Sequence, residues 1–237
     1  MLKMKKILLS LAVSLALVSC STTPKLEAPK ELKVLSWNIW HAGHSEKYPE
    51  KGCQGTLEIL KESDADVILM IETYGASNQV ADYLGYYHRL ISSNLSIYSR
   101  YPITKTLTFT DSISTFNFGG VEIDVNGQTM RVFDTWLHYI PSTTKTPVDS
   151  TAQQIIAWET AGSRDNEIRT ILNTIAPYLA QADSIPVIMG GDFNSHSHLD
   201  WTEAAKDLNN HGGKVVEWPV SKMMTDAGFK DSFREMN

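Results

Sequence analysis

Cysteine is nearly absent from this 237-residue sequence, which holds only Cys20 and Cys53. With Cys20 lipidated, as argued below, Cys53 has no partner and an internal disulfide is not expected. No internal stretch is apolar for long enough to cross a bilayer, and no repeat at a solenoid period is visible. Neither Gly-x-Gly-x-x-Gly nor a Walker lysine loop occurs, which argues against a nucleotide-cofactor fold. Lysine and arginine are sparse and, past the first six residues, little clustered, 21 against 27 acidic residues, for a formal charge of −6. Such a field repels extended polyanions. It does not exclude a phosphate ester, because a bound cation reverses the local sign. What remains is a chain 42% hydrophobic and 20% charged, long enough for one domain with a substantial core.

The first residues have a separate character. Lys3, Lys5 and Lys6 precede the apolar run Ile7–Val18, the pattern of an export signal. Leu17-Val18-Ser19-Cys20 resembles a bacterial lipobox, in which the signal is removed before a cysteine that receives lipid. The expectation is a lipoprotein signal over 1–19, lipidation at Cys20, a polar tether over 20–31 and a domain over 32–237. The protein would be exported and lipid-anchored to the bacterial cell envelope, on its periplasmic or surface side, as a monomer. Without residues 1–19 the chain keeps 18 basic and 27 acidic residues, a formal charge of −9.

Within the domain, Leu32–Ile39 reads as a strand, Trp40–Gln54 as a loop and Thr56–Glu62 as a short helix. Val67–Ile71 is continuously apolar, as a buried strand is, and Glu72 follows it. Ser77–Leu84 is predicted helical, and Tyr86–Leu90, Ser96–Tyr98 and Ile103–Phe109 are predicted as a strand meander. Gly120–Val125 and Thr129–Leu137 flank Asn126-Gly127, a hairpin signal. Thr151–Ala180 is the longest helical stretch, with Gly162 as a break and Pro177 as a bend or end. Ile185–Met189 is a further strand that stops at Gly190 and Gly191, with Asp192 and Asn194 beyond. Helices are predicted at Leu199–Leu208 and Pro219–Ala227. Parallel β-α-β units at both ends of the order, with an antiparallel middle, give an α/β sandwich of mixed sheets.

Asn38, Glu72, His138 and Asp192 each fall at the end of a predicted strand, and Asn194 lies just past one. Singly, each has an ordinary structural explanation: turn formation, a solvated terminus or a hydrogen-bonded histidine. Together they match one chemistry. Asn38, Glu72 and Asp192 offer the oxygen ligands that hard divalent cations take, and such an ion stabilises charge on a phosphoryl group. His138 could donate to a non-bridging oxygen or move a proton. His196 and His198 alternate along an extended segment, but two histidines without further ligands make a poor zinc site.

Ser36-Trp37-Asn38-Ile39, Ile71-Glu72, Leu137-His138 and Gly191-Asp192-Phe193-Asn194 resemble, in order over about residues 32–237, the motifs of the endonuclease/exonuclease/phosphatase superfamily. Ser99-Arg100-Tyr101-Pro102-Ile103 is similar to a common family stretch. The segments Ser197–Thr202, Trp218–Ser221 and Asp226–Arg234 resemble a group of secreted members known generically as phosphohydrolases. The resemblance implies a DNase I-like sandwich of two mixed β-sheets with helices outside. It implies hydrolysis of a phosphodiester or phosphomonoester by water attack at phosphorus, with Mg²⁺, Mn²⁺ or Ca²⁺ as cofactor. By the same resemblance Glu72 and Asn38 are metal ligands, His138, Asp192 and Asn194 catalytic, and Arg100, His198 and Trp201 substrate contacts. The substrate would be a phosphorylated small molecule, a lipid headgroup or nucleic acid, with the acidic charge favouring the first two.

The family pattern also has a Ser-Asp-His strand after these motifs, and no Asp-His dipeptide occurs here. The expectation is therefore a member that lacks its C-terminal strands, on the order of 50 residues within a single-domain size, and is weakly active or inactive in this form. The alternative is a non-catalytic surface lipoprotein that retains the fold. A glycosidase-like pair of Glu72 and Asp192 explains neither Asn38 nor Asn194.

Overall fold

The computed structural model describes residues 29, 31–44 and 52–236. The predicted signal, Cys20 and nearly all of the tether lie outside the described residues. Within them the element order is β1 (Val34–Asn38), α1 (Gly52–Ser63), β2 (Val67–Ile71), α2 (Ser77–Leu84), β3 (Tyr87–Leu90) and β4 (Leu95–Ser99). There follow β5 (Ile103–Leu107), β6 (Phe118–Val125), β7 (Gln128–Trp136), α3 (Ala152–Thr160), α4 (Arg164–Leu179), β8 (Val187–Asp192), α5 (Pro219–Asp226) and α6 (Ser232–Met236).

Two four-stranded sheets form, in the orders β1-β2-β4-β3 and β5-β6-β7-β8. Each is mixed: β1–β2 and β7–β8 are parallel, and the other neighbours antiparallel. The architecture is the predicted α/β sandwich. Alternation along β2 explains the layers. Val67, Leu69 and Ile71, with Leu95 and Ile97 of β4 beside them, face the second sheet and there meet Val121, Ile123 and Val132. Ile68 and Met70 face Leu57, Leu60 and Val80 of the helices outside the first sheet. Each fully buried aliphatic side chain contributes about 1.5–3 kcal/mol relative to exposure. On the outer face of the second sheet, Phe118 and Phe133 pack against Ile168, Ile171 and Ile175 of α4 and Val220 of α5.

Several predicted boundaries shift. The three middle strands are no meander: β3 and β4 pair in the first sheet, whereas β5 pairs with β6 in the second. The chain crosses between sheets there, with Arg100 N–H on Asp66 O at 2.9 Å and Asp124 N–H on Pro102 O at 2.9 Å. Helix α1 starts one turn earlier than predicted. Residues 199–208 form turns rather than a helix, because Trp201 is drawn into a small core with Ile155, Val216 and Trp218. Tertiary packing overrides local propensity here. The long helical stretch does break at Gly162, whose position leaves no room for a Cβ beneath Ile140 O, 2.7 Å away. Helix α3 opens on a capping box of Thr151 and Gln154. Pro177 falls inside the last turn of α4, which ends at Leu179.

Strand β8 runs through the two glycines that were expected to stop it, as far as Asp192. A Cβ on Gly191 would lie 2.0 Å from Thr135 O, at φ +136°, and one on Gly190 would lie 2.6 Å from Leu69 Cδ1. The glycines let β8 lie tightly on both β7 and the first sheet instead of turning away.

Candidate active site

The parallel pairs deliver their C-terminal ends to one end of the sandwich. Asn38 is level with Ile71, the residue before Glu72, and Trp136 is level with Asp192. There Asn38 Nδ2 donates to Glu72 Oε1 and to Asp192 Oδ2, both at 2.9 Å. One amide thus ties a carboxylate of the first sheet to a carboxylate of the second. Its own oxygen accepts Trp40 N–H at 2.9 Å, which fixes the amide orientation. Asn38 therefore acts as a bridging donor in this arrangement, with its oxygen occupied by backbone.

The remaining carboxylate oxygens are also aimed. Glu72 Oε2 accepts His41 N–H at 3.1 Å and lies 3.9 Å from His41 Nε2. Asp192 Oδ1 accepts Asn194 N–H at 2.9 Å. Among the described residues no lysine or arginine pairs with either carboxylate. Backbone strain surrounds the site: Trp40, His41, Ala42, Glu72, Tyr74 and Asn194 all have positive φ, a conformation costing on the order of 1–3 kcal/mol and typical of functional sites. The kink at Glu72 is held by Asn94, whose Oδ1 accepts Glu72 N–H at 3.1 Å and whose Nδ2 donates to Phe116 O at 2.9 Å. Burial, together with the Glu72 carboxylate, raises the Tyr74 hydroxyl above its ordinary pKa.

On the second sheet, Asn194 Nδ2 donates to Leu137 O at 2.9 Å, next to His138. His138 N–H donates to Glu167 Oε2 at 2.8 Å, and Ile140 N–H donates to His138 Nδ1 at 3.2 Å. The shorter contact makes Nδ1 an acceptor, although Nδ1 also lies 3.5 Å from Ile140 O. The segment is braced by an ion pair that sequence reasoning did not find. Arg164 is fully buried, holds Glu159 with two hydrogen bonds, and donates from Nη1 to His138 O at 3.0 Å. Glu159 in turn accepts Ser195 Oγ–H at 2.9 Å. Arg164 heads α4, and nothing in the local spacing reveals Glu159 as its partner.

The three predicted substrate contacts, Arg100, His198 and Trp201, each have structural partners of their own. Arg100 lies at the opposite end of the first sheet, since Ser99 is level with Val67, the start of β2. It is held there by Asp64, Asp66 and Tyr86. Trp201 is buried, stacked on His211 with ring centroids 4.1 Å apart. His198 Nδ1 and backbone N lie on Ser221 Oγ at 2.9 and 2.8 Å, a local loop-to-helix tie. His196 packs on Trp201 and Trp218 and meets Thr146 Oγ1 at 3.0 Å. Its burial lowers its pKa. Among the described residues no cluster of three or more His, Cys, Asp or Glu side chains could hold a metal, so any cation would rest on two carboxylates with amide support. A cavity of about 300 Å³ lined by Met189, Phe193, Val220, Met224 and Phe229 includes none of Asn38, Glu72, His138 or Asp192.

The profile of the Endonuclease/Exonuclease/phosphatase family matches residues 35–234. The chain belongs to this family. Its fold is the DNase I-like sandwich, and family membership supports a phosphodiesterase-type hydrolase. Relatives in the family generally depend on divalent metal. An uncharacterized protein of Caenorhabditis elegans is 28% identical over 231 residues, covering 92% of this chain and 70% of that protein. A beta hairpin deletion mutant of Staphylococcus aureus beta toxin superposes with a TM-score of 0.50 at 18% identity, over 86% of this chain and 75% of the toxin. Truncated C. elegans TDP2 gives 0.51 at 17% identity, over 69% of this chain and 62% of that one. At these identities the two structures speak to the fold of this family member alone.

Proposed function

We propose that this protein is a divalent-cation-dependent hydrolase of phosphate esters, with its site at the shared C-terminal ends of β1, β2, β7 and β8. The observation that carries this reading is the pair Glu72 and Asp192, tied by the Asn38 amide and without a basic ion-pair partner among the described residues. Two carboxylates without a lysine or arginine suit a hard, oxygen-seeking ion such as Mg²⁺, Mn²⁺ or Ca²⁺. Glu72 and Asp192 would hold it, and Asn38 would fix their spacing. A bound cation supplies positive charge against the phosphoryl oxygens. His138 donates a hydrogen bond from Nε2 to a non-bridging oxygen. Asn194 has one amide proton on Leu137 O and offers the other to the phosphoryl group. Asp192 orients the attacking water.

No histidine hydrogen-bonds Asp192 among the described residues, and loss of a general base typically slows a reaction about 10²–10⁴-fold. Turnover by this chain is therefore expected to be low. The decisive test pairs Mn²⁺ binding, followed by electron paramagnetic resonance, with hydrolysis of bis(p-nitrophenyl) phosphate. Glu72→Gln should weaken Mn²⁺ binding at least tenfold and abolish the residual activity. Undiminished Mn²⁺ binding in Glu72→Gln would refute the metal site. A family-typical rate in the unmodified chain, abolished by Glu72→Ala, would refute the low turnover.

Export and anchoring at Cys20 form part of the same reading, supported by Lys3, Lys5, Lys6 and the apolar run before Leu17-Val18-Ser19-Cys20. An acidic, membrane-tethered monomer suits a small phosphate ester or lipid headgroup better than a long nucleic acid. Labelled palmitate should enter the expressed protein and fail to enter Cys20→Ser. Equal labelling of both would refute the anchor.

A further inference from the structure

Aromatic side chains crowd the rim of the carboxylate pair, and neither the fold nor the hydrolytic reading requires them there. The exposed aromatic residues of the described chain are Trp40, Tyr74, Tyr83, Tyr87, Tyr139 and Phe233, and three of the six border this one site. Trp40 is 66% exposed, although its backbone N–H is fixed on Asn38. Tyr74 is 43% exposed, two residues past Glu72. The His41 ring links them, 4.8 Å from Trp40 and 5.6 Å from Tyr74. On the second sheet Tyr139 is 54% exposed, stacked on His138 at 5.0 Å and 6.2 Å from the Trp136 ring. Trp136 is level with Asp192.

Open ring faces in water are unfavourable for folding. Those of Trp40, Tyr74 and Tyr139 sit on segments pinned by hydrogen bonds and strained backbone, so they stay in place without burial. Among the described residues neither carboxylate has a lysine or arginine partner, and Arg164 is held by Glu159. Proteins that track single-stranded nucleic acid add a cationic groove to their aromatics. Here the described aromatics border a carboxylate pair with no lysine or arginine partner among the described residues, so recognition is suited to one planar group beside one phosphate.

We propose that the site takes a phosphate ester bearing a single planar aromatic group, such as a nucleoside or aryl phosphate, with Trp40 and Tyr74 on one bank and Trp136 and Tyr139 on the other as its stacking surfaces. This rests on the phosphoesterase reading above and extends it to the group attached to phosphorus.

Binding to the full chain separates the two. Adenosine 5′-monophosphate, phenyl phosphate, ribose 5-phosphate and phosphocholine are each titrated with saturating Mg²⁺, by calorimetry. Adenosine 5′-monophosphate and phenyl phosphate should bind tighter than ribose 5-phosphate, with the stronger of the two showing whether the pocket fits a nucleoside or a simple aryl group. Trp40→Ala and Tyr139→Ala should weaken the planar ligands about 5- to 100-fold, leave ribose 5-phosphate unchanged and keep the thermal unfolding midpoint. Trp40→Phe should restore most of the affinity. Equal binding of all four, no effect of Trp40→Ala, or tighter binding of phosphocholine would overturn the proposal. No binding of any phosphate, with Mn²⁺ binding intact and sensitive to Glu72→Gln, would overturn it while leaving the metal reading standing.

Discussion

Strands β2 and β8 each bring a carboxylate to the same site by opposite means. All five residues of β2 are fully buried, between the second sheet on one face and α1 and α2 on the other. Every residue of β8 is only half-buried, at the edge of its sheet. Glu72 is placed by the rigidity of a sealed strand and by the Asn94 clasp on its backbone. Asp192 is placed by contact distance: Gly190 and Gly191 let β8 press against Leu69, Ser36 and Thr135, and Ser36 Oγ accepts Gly191 N–H at 2.9 Å. Burial by large apolar side chains and close approach through missing side chains are thus alternative ways to fix a functional group. The second depends on fewer atoms and is easier to break.

The comparison breaks most sharply at Gly191. Gly191→Ala adds a carbon that would lie 2.0 Å from Thr135 O on a backbone at φ +136°, and it should lower stability by about 3–5 kcal/mol. Urea denaturation measures this, and a change below about 1 kcal/mol would show that β8 adapts and that close approach does not place Asp192. A smaller effect sharpens the contrast at Asp134 of β7, which is level with Gly190. Asp134 is fully buried and both its carboxylate oxygens lack partners. Burial holds its pKa well above the ordinary carboxylate range, and the neighbouring Thr135 amide offsets only part of that. The folded state therefore binds this proton more tightly than the unfolded chain does. Its contribution to stability is full below about pH 4 and declines as pH rises from there toward the folded value. Asp134→Asn should be more stable than the parent by roughly 1–3 kcal/mol at pH 7, with the gain shrinking toward pH 4. Melting midpoints across that range check it, and a gain that does not vary with pH would contradict the assignment.

Much of this arrangement could be read from residue order. The unbroken apolar run Val67–Ile71 announced a strand covered on both faces, and it is one. Asn126 and Gly127 take the positive φ values, 54° and 93°, that a tight hairpin needs. The polar residues at strand ends pointed to one end of a sandwich because parallel strands share an end. What could not be read depends on contacts between distant segments. Asn38 meets Asp192 across 154 residues, and no local pattern says whether its nitrogen or its oxygen faces the acids. Arg100 has the same local surroundings whether it guards a substrate or an Asp64–Asp66 corner. Only the strand register puts it at the end opposite the carboxylate pair. Trp201 reads as a helix residue until Trp218 and His211 draw it inward. The glycines before Asp192 read as a stop because glycine turns chains. Here they serve the packing of a straight one.

Both amide protons of Asn38 are engaged, one in each half of the molecule. The carboxylate pair therefore exists as a unit only while the halves meet at the correct spacing, and a small parting at this end dissolves it with both cores intact. The side chain works as a latch whose closure can be sensed chemically. Function would then be the first property lost as the molecule loosens and the last regained as it assembles.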